Sequence, residues 1–460
     1  MLGAPARLII AGTKSASGKT TLTCGLIEVL RRRGLKVAAA KCGPDYLDVG
    51  FHTKVLGVPS RNLDLFLSDA TFVRRQVAAS EASSDVTLIE GVMGYYDGRA
   101  NSTQASTYGV ACVTETPVVL VVDGRGRSLS AAAEVAGFAH FREPSHIAAI
   151  IVNHARPHTF AQLKGVIERE CSIPVVGYMP EVEEASLEHR HLGLVSADEV
   201  DDLRERVSKL ADVLERTIDI DRLLEVARLA PALEVKEPPI EPLCGDAPLI
   251  AVARDAAFSF TYHETVELLR QLGADIAYFS PLEDEALPQG TAALLLSGGY
   301  PELHAADLTA NTSMLSSIRA AIAGGVPTIA ECGGFMYLLE AIEDIDGHLH
   351  AMVGIISGEA KRGRCLRHFG YEELCCQRSG LLADAGQSLR AHEFHYWQAT
   401  DEGNAFKAQK RPSRETWDCV HMSDTLYAGF PHLYLAGSPQ VARRFVRAAA
   451  SYAKGRVPCS

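Results

Sequence analysis

The sequence lacks any long apolar run. Its longest uncharged apolar stretches, such as Pro117–Val122, fall far short of the roughly 20 residues that a membrane-spanning helix needs. The opening residues, MLGAPARLIIAG, also lack the pattern of a signal peptide. We therefore expect a soluble, cytoplasmic protein with no membrane partner.

A surplus of basic residues is also missing. The chain has 45 Lys and Arg residues against 57 Asp and Glu residues, which gives a formal net charge of −12. Proteins with a general affinity for nucleic acid need basic groups to displace the counterions of phosphate. The net charge therefore predicts that nucleic acid is not a partner. It is still compatible with a locally basic pocket.

Paired cysteine motifs are absent as well. The 11 cysteines are scattered, and none of their spacings gives the CxxC pairs of a zinc site. We expect reduced thiols throughout the chain.

Short β-branched runs alternate with helix-length segments along the chain. A length of 460 residues with 47% hydrophobic residues allows about two to four domains. Continuous apolar runs between helices predict α/β domains with parallel sheets covered on both faces. The runs in the first half are Leu8–Ala11, Val37–Ala40, Val86–Glu90, Val118–Asp123, Ala148–Asn153 and Val175–Tyr178, and those in the second are Leu249–Ala253, Asp275–Phe279, Ala293–Ser297 and Thr328–Ala330. Leu233–Pro248, with four prolines and little periodicity, is the best linker candidate.

A glycine-rich loop follows the first predicted strand. Lys19 and Thr20 come after Gly18 and open a predicted helix, the context in which backbone N–H groups hold phosphate. The lysine would reach the terminal phosphates and the threonine hydroxyl would bind Mg²⁺. Five residues rather than four separate the two glycines, so the loop is a variant, and an ordinary glycine turn is the alternative. The candidate nucleotide-binding residues are Gly12, Thr13, Lys14, Ser15, Gly18, Lys19, Thr20 and Thr21.

Carboxylates follow the predicted strands of the first half. Glu90 closes one strand, Asp45 and Asp48 follow another, and Asp97 lies in the segment after Glu90. Ligands of open α/β sheets lie beyond the carboxyl ends of the strands, and acidic groups there are natural Mg²⁺ ligands beside a triphosphate. The alternative for the three aspartates is helix capping or turn formation. Asn153, which ends another strand, is a candidate for reading the nucleotide base.

The second half contains a candidate nucleophile. Cys332 lies between an apolar strand and a helical stretch and is followed by two glycines, which is typical of a sharp turn that exposes a nucleophile. His432, about 100 residues later, is the candidate base, and Gly298 and Gly299 are candidate oxyanion donors. His392 and His395 have the spacing of a metal pair but no third ligand nearby, which favours hydrogen-bonded histidines instead.

Taken together, the motifs make the chain resemble the cobyrinic acid a,c-diamide synthase family, from Gly12 to about Leu435. The segments that carry the resemblance are GTKSASGKTT, KCGPDYLDVGFH, SRNLD, IEGVMGYYDG, RHLGL, ARDAAFSFTY, SGGYPEL, AECGG and HEFHY. It implies a P-loop domain of the dethiobiotin-synthetase type at residues 1–232, a linker at 233–247 and a class I glutamine amidotransferase-like domain at 248–455.

The resemblance also implies a reaction. Members of this family use ATP to phosphorylate a carboxylate of an acidic tetrapyrrole, release ammonia from glutamine through a cysteinyl thioester, and form an amide. Asp45, Leu47, Asp48, Glu90 and Asp97 would belong to the synthetase site, with Thr20, Asp48 and Glu90 at Mg²⁺. Cys332 and His432 would hydrolyse glutamine, without a third, acidic member, since no His-x-Glu pattern follows His432.

Two alternatives to this function remain open. The same chemistry on sirohaem or nickel sirohydrochlorin would fit the same motifs. A regulatory P-loop ATPase with an inert glutaminase-like module is a reading from another class, suggested by Lys14, which stands where some dimeric P-loop ATPases carry an extra lysine. The same lysine also suggests a homodimer. The alternative is that Lys14 is simply exposed to solvent.

Overall fold

The computed structural model describes residues 6–182, 197–235, 240–243, 245 and 247–455. The RHLGL motif and parts of the expected linker lie outside these residues. The chain divides into two compact units, residues 1–237 and 238–460. Each unit buries its own apolar side chains, in two clusters on either side of a central sheet.

The first unit alternates strands and helices. Its strands are β1 (Arg7–Gly12), β2 (Val37–Cys42), β3 (Ser60–Leu63), β4 (Val86–Glu90), β5 (Val118–Asp123), β6 (Ile147–Asn153) and β7 (Val175–Met179). Its helices are α1 (Lys19–Arg32), α2 (Leu47–Lys54), α3 (Ala70–Ser83), α4 (Thr107–Thr114), α5 (Leu129–His140), α6 (Pro157–Cys171), α7 (Ala197–Thr217) and α8 (Ile220–Ala227).

These seven strands form one parallel sheet in the order β3-β2-β4-β1-β5-β6-β7. Every residue of β1, β2, β4 and β5 is buried, as expected for strands covered by helices on both faces. In the centre, Ile9 of β1 lies opposite Ile89 of β4 and Val118 of β5. Because the strands are parallel, the loops after β1, β2, β4 and β5 meet at one edge of the sheet, where ligands bind in such folds.

The second unit contains many more strands. They are β8 (Leu249–Ala253), β9 (Phe258–Phe260), β10 (Asp275–Phe279), β11 (Thr291–Leu296), β12 (Gly298–Gly299), β13 (Thr328–Glu331), β14 (Ala341–Glu343), β15 (Leu349–Ala351), β16 (Glu359–Cys376), β17 (Ser388–Ala399), β18 (Phe406–Gln409), β19 (Thr416–Cys419), β20 (His421–Met422), β21 (Leu426–Gly429) and β22 (His432–Leu433). Its helices are α9 (His263–Gln271), α10 (Ala305–Ala310), α11 (Thr312–Ala323), α12 (Gly333–Leu338) and α13 (Pro439–Ala453).

Two larger sheets organise this unit. One has the order β10-β8-β11-β13-β21-β20 and is parallel apart from its last pair. The other is built on the long antiparallel hairpin of β16 and β17, against which β22 pairs. In that pairing His432 lies opposite His392. The two sheets therefore approach each other at the end of β13, where Cys332 follows. Among the described helices of the whole chain, none has the length and apolarity to cross a membrane.

Candidate active sites

The loop between β1 and α1 is a tightly curved turn. Gly18 has a φ of 84° and Ala16 a φ of 55°, both in the left-handed region. A methyl group at Gly12 would lie 2.0 Å from Oγ of Ser17, so a side chain there would displace the Ser17 hydroxyl. Lys19 is the first residue of α1, three residues earlier than the apolar pattern suggests. The curved loop and the helix N-terminus together form a cradle of the kind that holds phosphate.

The other predicted loop residues surround this turn. The N–H of Thr13 donates to the carbonyl of Val121 at 3.3 Å. Lys14 and Ser15 are exposed, and Thr21 lies in the first turn of α1. The loop is thus fixed to the sheet at its start and open to solvent at its middle.

Lys19 is buried and directed into the loop. Its Nζ donates to the carbonyl oxygens of Met93 at 2.6 Å and Lys14 at 3.2 Å. Burial, and then the nearby Lys41 ammonium, lower the pKa of Lys19 to about 8. The acceptors of these two hydrogen bonds are neutral carbonyl oxygens, and phosphate oxygens would give the ammonium negatively charged acceptors.

A buried ionic cluster lies next to Lys19. The Nζ of Lys41 is 2.7 Å from Oε1 of Glu90 and also forms an ion pair with Asp48. Thr20 donates its hydroxyl hydrogen to the same Oε1 of Glu90, and Nε2 of His52 lies 3.6 Å from Oε2. The two carboxylates predicted as metal ligands are therefore held together by one ammonium group.

The ionisation of the cluster follows from these contacts. Burial alone would raise the pKa of Glu90, but Lys41 and His52 hold it well below its ordinary value. Burial and the Glu90 charge raise the pKa of Asp48 to about 6, against the opposing effect of Lys41. Burial lowers the pKa of Lys41, but the two carboxylates outweigh burial and raise this pKa above its ordinary value. Glu90 is thus the firmly ionised carboxylate of this site.

The remaining predicted residues have local contacts. Asp45 accepts a hydrogen bond from the N–H of Asp48 at 2.8 Å, and Leu47 is the first residue of α2. Asp97 accepts from the N–H of Gly94 at 3.1 Å, which closes a turn beside the phosphate loop. Asn153 donates from Nδ2 to the carbonyl of Ser17 at 2.9 Å and so supports that loop from below. Its reading of a nucleotide base stays a prediction.

Lys41 and Asp123 also lie at this site, although the sequence does not predict them as site residues. Asp123 lies 2.8 Å from Arg125 and 3.8 Å from Nζ of Lys14, at the end of β5. Both residues end or nearly end a buried strand, so the strand-end rule that selected Glu90 would have found them if applied to every strand.

These side chains fit a magnesium nucleotide. A methyl group at Gly12 would meet Oγ of Ser17 within the loop, and that buried Oγ has no hydrogen-bond partner. Thr20, Asp48 and Glu90 offer the hard oxygen donors that Mg²⁺ prefers, and Mg²⁺ commonly takes only one or two protein carboxylates beside phosphate oxygens.

In the second unit, Cys332 occupies a strained turn between β13 and α12. Its φ of 49° and ψ of −107° lie outside the conformations that a cysteine ordinarily adopts. Its N–H donates to the carbonyl of Gly429 at 2.8 Å. A methyl group at Gly334 would lie 2.1 Å from the carbonyl oxygen of Leu296, so only glycine fits two residues after the cysteine. This is the turn geometry that the motif predicts.

Glycines bring the other predicted residues close. A methyl group at Gly298 would lie 2.5 Å from Cε1 of His432, and one at Gly333 would lie 3.0 Å from the amide nitrogen of Gly299. His432 and the Gly298–Gly299 segment are therefore neighbours, and that segment also contacts the turn of Cys332. Their roles as base and oxyanion donors stay predictions.

The resting groups of this site are neutral. Burial, and then the nearby Glu302, raise the pKa of the Cys332 thiol. Burial, and then His392 and His395, lower the pKa of His432 to about 3. A neutral imidazole can accept the proton of a neutral thiol, which is the starting state that thiol attack requires.

The HEFHY segment is built as part of β17. His395 shares a 2.8 Å hydrogen bond with Oε1 of Glu393 and stacks on Phe430 with ring centroids 3.8 Å apart. Within the described part of the chain, no three His, Cys, Asp or Glu side chains are grouped to hold a metal ion.

Comparisons with known proteins agree with both halves of this description. Residues 8–194 match the family model described as the CobQ/CobB/MinD/ParA nucleotide binding domain, and residues 249–439 match the CobB/CobQ-like glutamine amidotransferase domain. The cobyrinate a,c-diamide synthase of Salmonella typhimurium is 41% identical over 96% of this chain and 97% of the relative. Those of Priestia megaterium and Listeria innocua are 38% and 37% identical, over 96% and 95% of this chain and 96% and 97% of the relatives. A solved chain of PurLQS from Thermotoga maritima shares 14% identity over 45% of this chain and 99% of its own, with a TM-score of 0.31, too low to support any argument.

Proposed function

We propose that this chain, which belongs to the cobyrinate a,c-diamide synthase family of glutamine-dependent amidotransferases, amidates the a and c acetate carboxylates of cobyrinic acid. The observation that carries the proposal is the presence in one chain of two built sites. One is the phosphate cradle with Lys19 and Thr20, and the other is the strained Cys332 turn beside His432. The partners are an acidic tetrapyrrole, L-glutamine and ATP.

The first unit would activate the carboxylate. A carboxylate resists attack by ammonia because its carbon carries no leaving group, so an oxygen of the acetate attacks the γ-phosphorus of ATP and ADP departs. The product is an acyl phosphate. Lys19 neutralises the phosphate charge during this transfer, because its ammonium ends in the loop that holds the phosphates. Mg²⁺ held by Thr20 with Asp48 or Glu90 would supply further charge neutralisation on the phosphates.

Three other side chains of the first unit would position the substrate. Asp45 and Asp97 lie in the loops after β2 and β4, at the sheet edge where the phosphate loop also ends. Leu47, partly exposed at the start of α2, would contact the apolar macrocycle. The Lys41 ammonium holds the Glu90 and Asp48 carboxylates together.

The second unit would supply ammonia. His432 takes the thiol proton of Cys332 as the sulfur attacks the amide carbon of glutamine, and the N–H groups of Gly298 and Gly299 receive the developing oxyanion. The imidazolium returns the proton to the leaving nitrogen, and ammonia departs. Water then cleaves the thioester to glutamate. Ammonia attacks the acyl phosphate, phosphate leaves with the bonding electrons, and an amide with one released proton results.

The substrate is tested with purified protein. ATP, glutamine and cobyrinic acid, sirohaem or nickel sirohydrochlorin are incubated in parallel, and mass spectrometry counts the acid-to-amide conversions. We expect two conversions on cobyrinic acid. If only another macrocycle is converted, that macrocycle is the substrate and the proposal of cobyrinic acid is wrong.

The nucleophile is tested with Cys332→Ser. We expect this variant to lose glutamine hydrolysis and to retain amidation with ammonium chloride, because only the ammonia source is removed. Cys365→Ser, at an exposed cysteine of the same unit, is the matched control. Loss of glutamine hydrolysis in Cys332→Ser would reject the alternative of a P-loop ATPase with an inert glutaminase-like module, whereas unchanged hydrolysis would exclude Cys332 as the nucleophile. Size-exclusion chromatography with light scattering tests the expected homodimer.

A further inference from the structure

The position two residues after His432, where many glutaminases place an acid, is taken by Tyr434. Its ring is buried and packs edge-on against Tyr262, with centroids 4.7 Å apart. An imidazole that accepts a proton inside a protein is normally oriented by an acidic group on its other nitrogen. Another element must therefore provide that group if the histidine is to have one.

Glu331 lies on the Nδ1 side of His432. Its Oε2 is 3.8 Å from Nδ1, and its Oε1 accepts a hydrogen bond from the N–H of Leu433 at 3.0 Å. The second contact ties the carboxyl group to the strand that carries the histidine. The first distance is longer than a hydrogen bond, and catalytic hydrogen bonds often tighten only in the complex with substrate.

We propose that Glu331 is the positioning residue of the glutaminase site: it orients His432 through Nδ1 and stabilises the imidazolium formed when His432 accepts the thiol proton of Cys332. This inference rests on the proposed roles of Cys332 and His432. The acid then comes from the residue before the nucleophile, so that one strand end supplies two members of a Cys-His-Glu arrangement.

The surroundings make the ionisation of Glu331 depend on pH. Both Glu331 and His432 are buried, and burial raises the pKa of Glu331 to about 8 against the effect of the Leu433 hydrogen bond. The other titratable groups that face the pair are Cys332 on the adjoining turn, His392 and His395 on β17, and Tyr427 on β21. None of these is a cation at neutral pH that would hold Glu331 ionised, so its proton must pass to solvent before the carboxylate can stabilise the imidazolium. We therefore expect the rate of glutamine hydrolysis to rise as the pH rises through about 8.

The test compares Glu331→Gln and Glu331→Asp with the wild-type chain. We expect Glu331→Gln to lower kcat for glutamine hydrolysis by roughly 10²-fold with little change in KM, because glutamine still binds but the imidazolium is no longer stabilised. It should also lose the rise of activity around pH 8, whereas Glu331→Asp should keep that rise and recover part of kcat. Glu264→Gln, which removes an equally buried carboxyl group on α9, is the matched control and should behave as wild type.

Ammonium-driven amidation separates this role from a structural one. It should be unchanged in Glu331→Gln, because it bypasses glutamine hydrolysis. A parallel loss of both reactions, a retained rise around pH 8 in Glu331→Gln, or an equal loss in Glu264→Gln would overturn the inference. If the wild-type chain amidates cobyrinic acid with neither nitrogen source, the proposed substrate fails, while the pH profiles of glutamine hydrolysis still decide the role of Glu331.

Discussion

Replacing Lys41 by methionine isolates the energetics of the buried ionic cluster in the first unit. The ammonium lies between Glu90, whose Oε1 is 2.7 Å away, and Asp48, and the side chains are 7%, 0% and 8% exposed. Methionine keeps the volume but leaves two buried carboxylates without their cation. Removing one partner of a buried ion pair typically costs about 3–5 kcal/mol, so we expect the free energy of unfolding of this unit to fall by that amount at pH 8.

The loss should depend on pH with a definite sign. In the wild type, the lowered pKa of Glu90 stabilises the fold at pH values above the pKa of this residue in the unfolded chain, and this stabilisation is lost in acid. The raised pKa of Asp48, about 6, acts oppositely and weakens the fold as the pH rises through that value. Without Lys41 both carboxyl groups bind protons more tightly folded than unfolded, so stability falls with rising pH. We expect a smaller loss at pH 5 than at pH 8.

The assay uses the two tryptophans. Trp397 and Trp417 both belong to the second unit, so their fluorescence follows that unit, whereas circular dichroism follows both. At a slope of ~3 kcal/mol per molar urea, Lys41→Met should lower the midpoint of the dichroism transition by roughly 1–1.7 M and leave the fluorescence transition in place. Lys36→Met, at an exposed lysine just before the same strand, is the control. A loss below about 1 kcal/mol, or one independent of pH, would refute the reasoning.

Three further substitutions test other parts of the fold. In Gly12→Ala the new methyl group would meet Oγ of Ser17 at 2.0 Å, so we expect ATP-dependent amidation to fall by roughly 100-fold while glutamine hydrolysis in assays without ATP is retained. In Gly334→Ala the methyl group would lie 2.1 Å from the carbonyl oxygen of Leu296, and the urea midpoint followed by tryptophan fluorescence should fall by the equivalent of ~1–3 kcal/mol. Arg7→Met removes a fully buried guanidinium with four hydrogen bonds and should cost the first unit about 3–5 kcal/mol, measured by circular dichroism; an unchanged midpoint in either variant would contradict the contact described.

The parallel strands could be predicted because burial on both faces leaves a continuous apolar signal. Val86–Glu90 and Val118–Asp123 are strands with the predicted bounds. Strand β3, Ser60–Leu63, was not predicted, because it is four residues long and begins with three polar ones. The hairpin of β16 and β17 was also missed. Its first strand carries many charged residues and shifts register twice between Arg362 and Gly370, so neither alternation nor an apolar run survives in the sequence.

The two candidate sites differ in how far the sequence indicates them. Lys19 and Cys332 are each defined by their immediate neighbours, so a local motif suffices. The bridge from Lys41 to Glu90 joins residues 49 positions apart, and it exists because β2 and β4 pair in a register that places these two residues opposite each other. A register is set by the whole sheet, which a local motif does not contain.

The phosphate loop has a consequence for the thermodynamics of nucleotide binding. The Lys19 ammonium donates to two carbonyl oxygens, and the Thr20 hydroxyl donates to Glu90. Binding is then an exchange of partners, in which each new contact replaces an existing one, and the measured affinity reports the difference between the two sets. We expect calorimetry to show a modest enthalpy for so many polar contacts. The substitution Glu90→Gln, which weakens the hydrogen bond from Thr20, would then change the affinity for nucleotide through the free protein as much as through the complex.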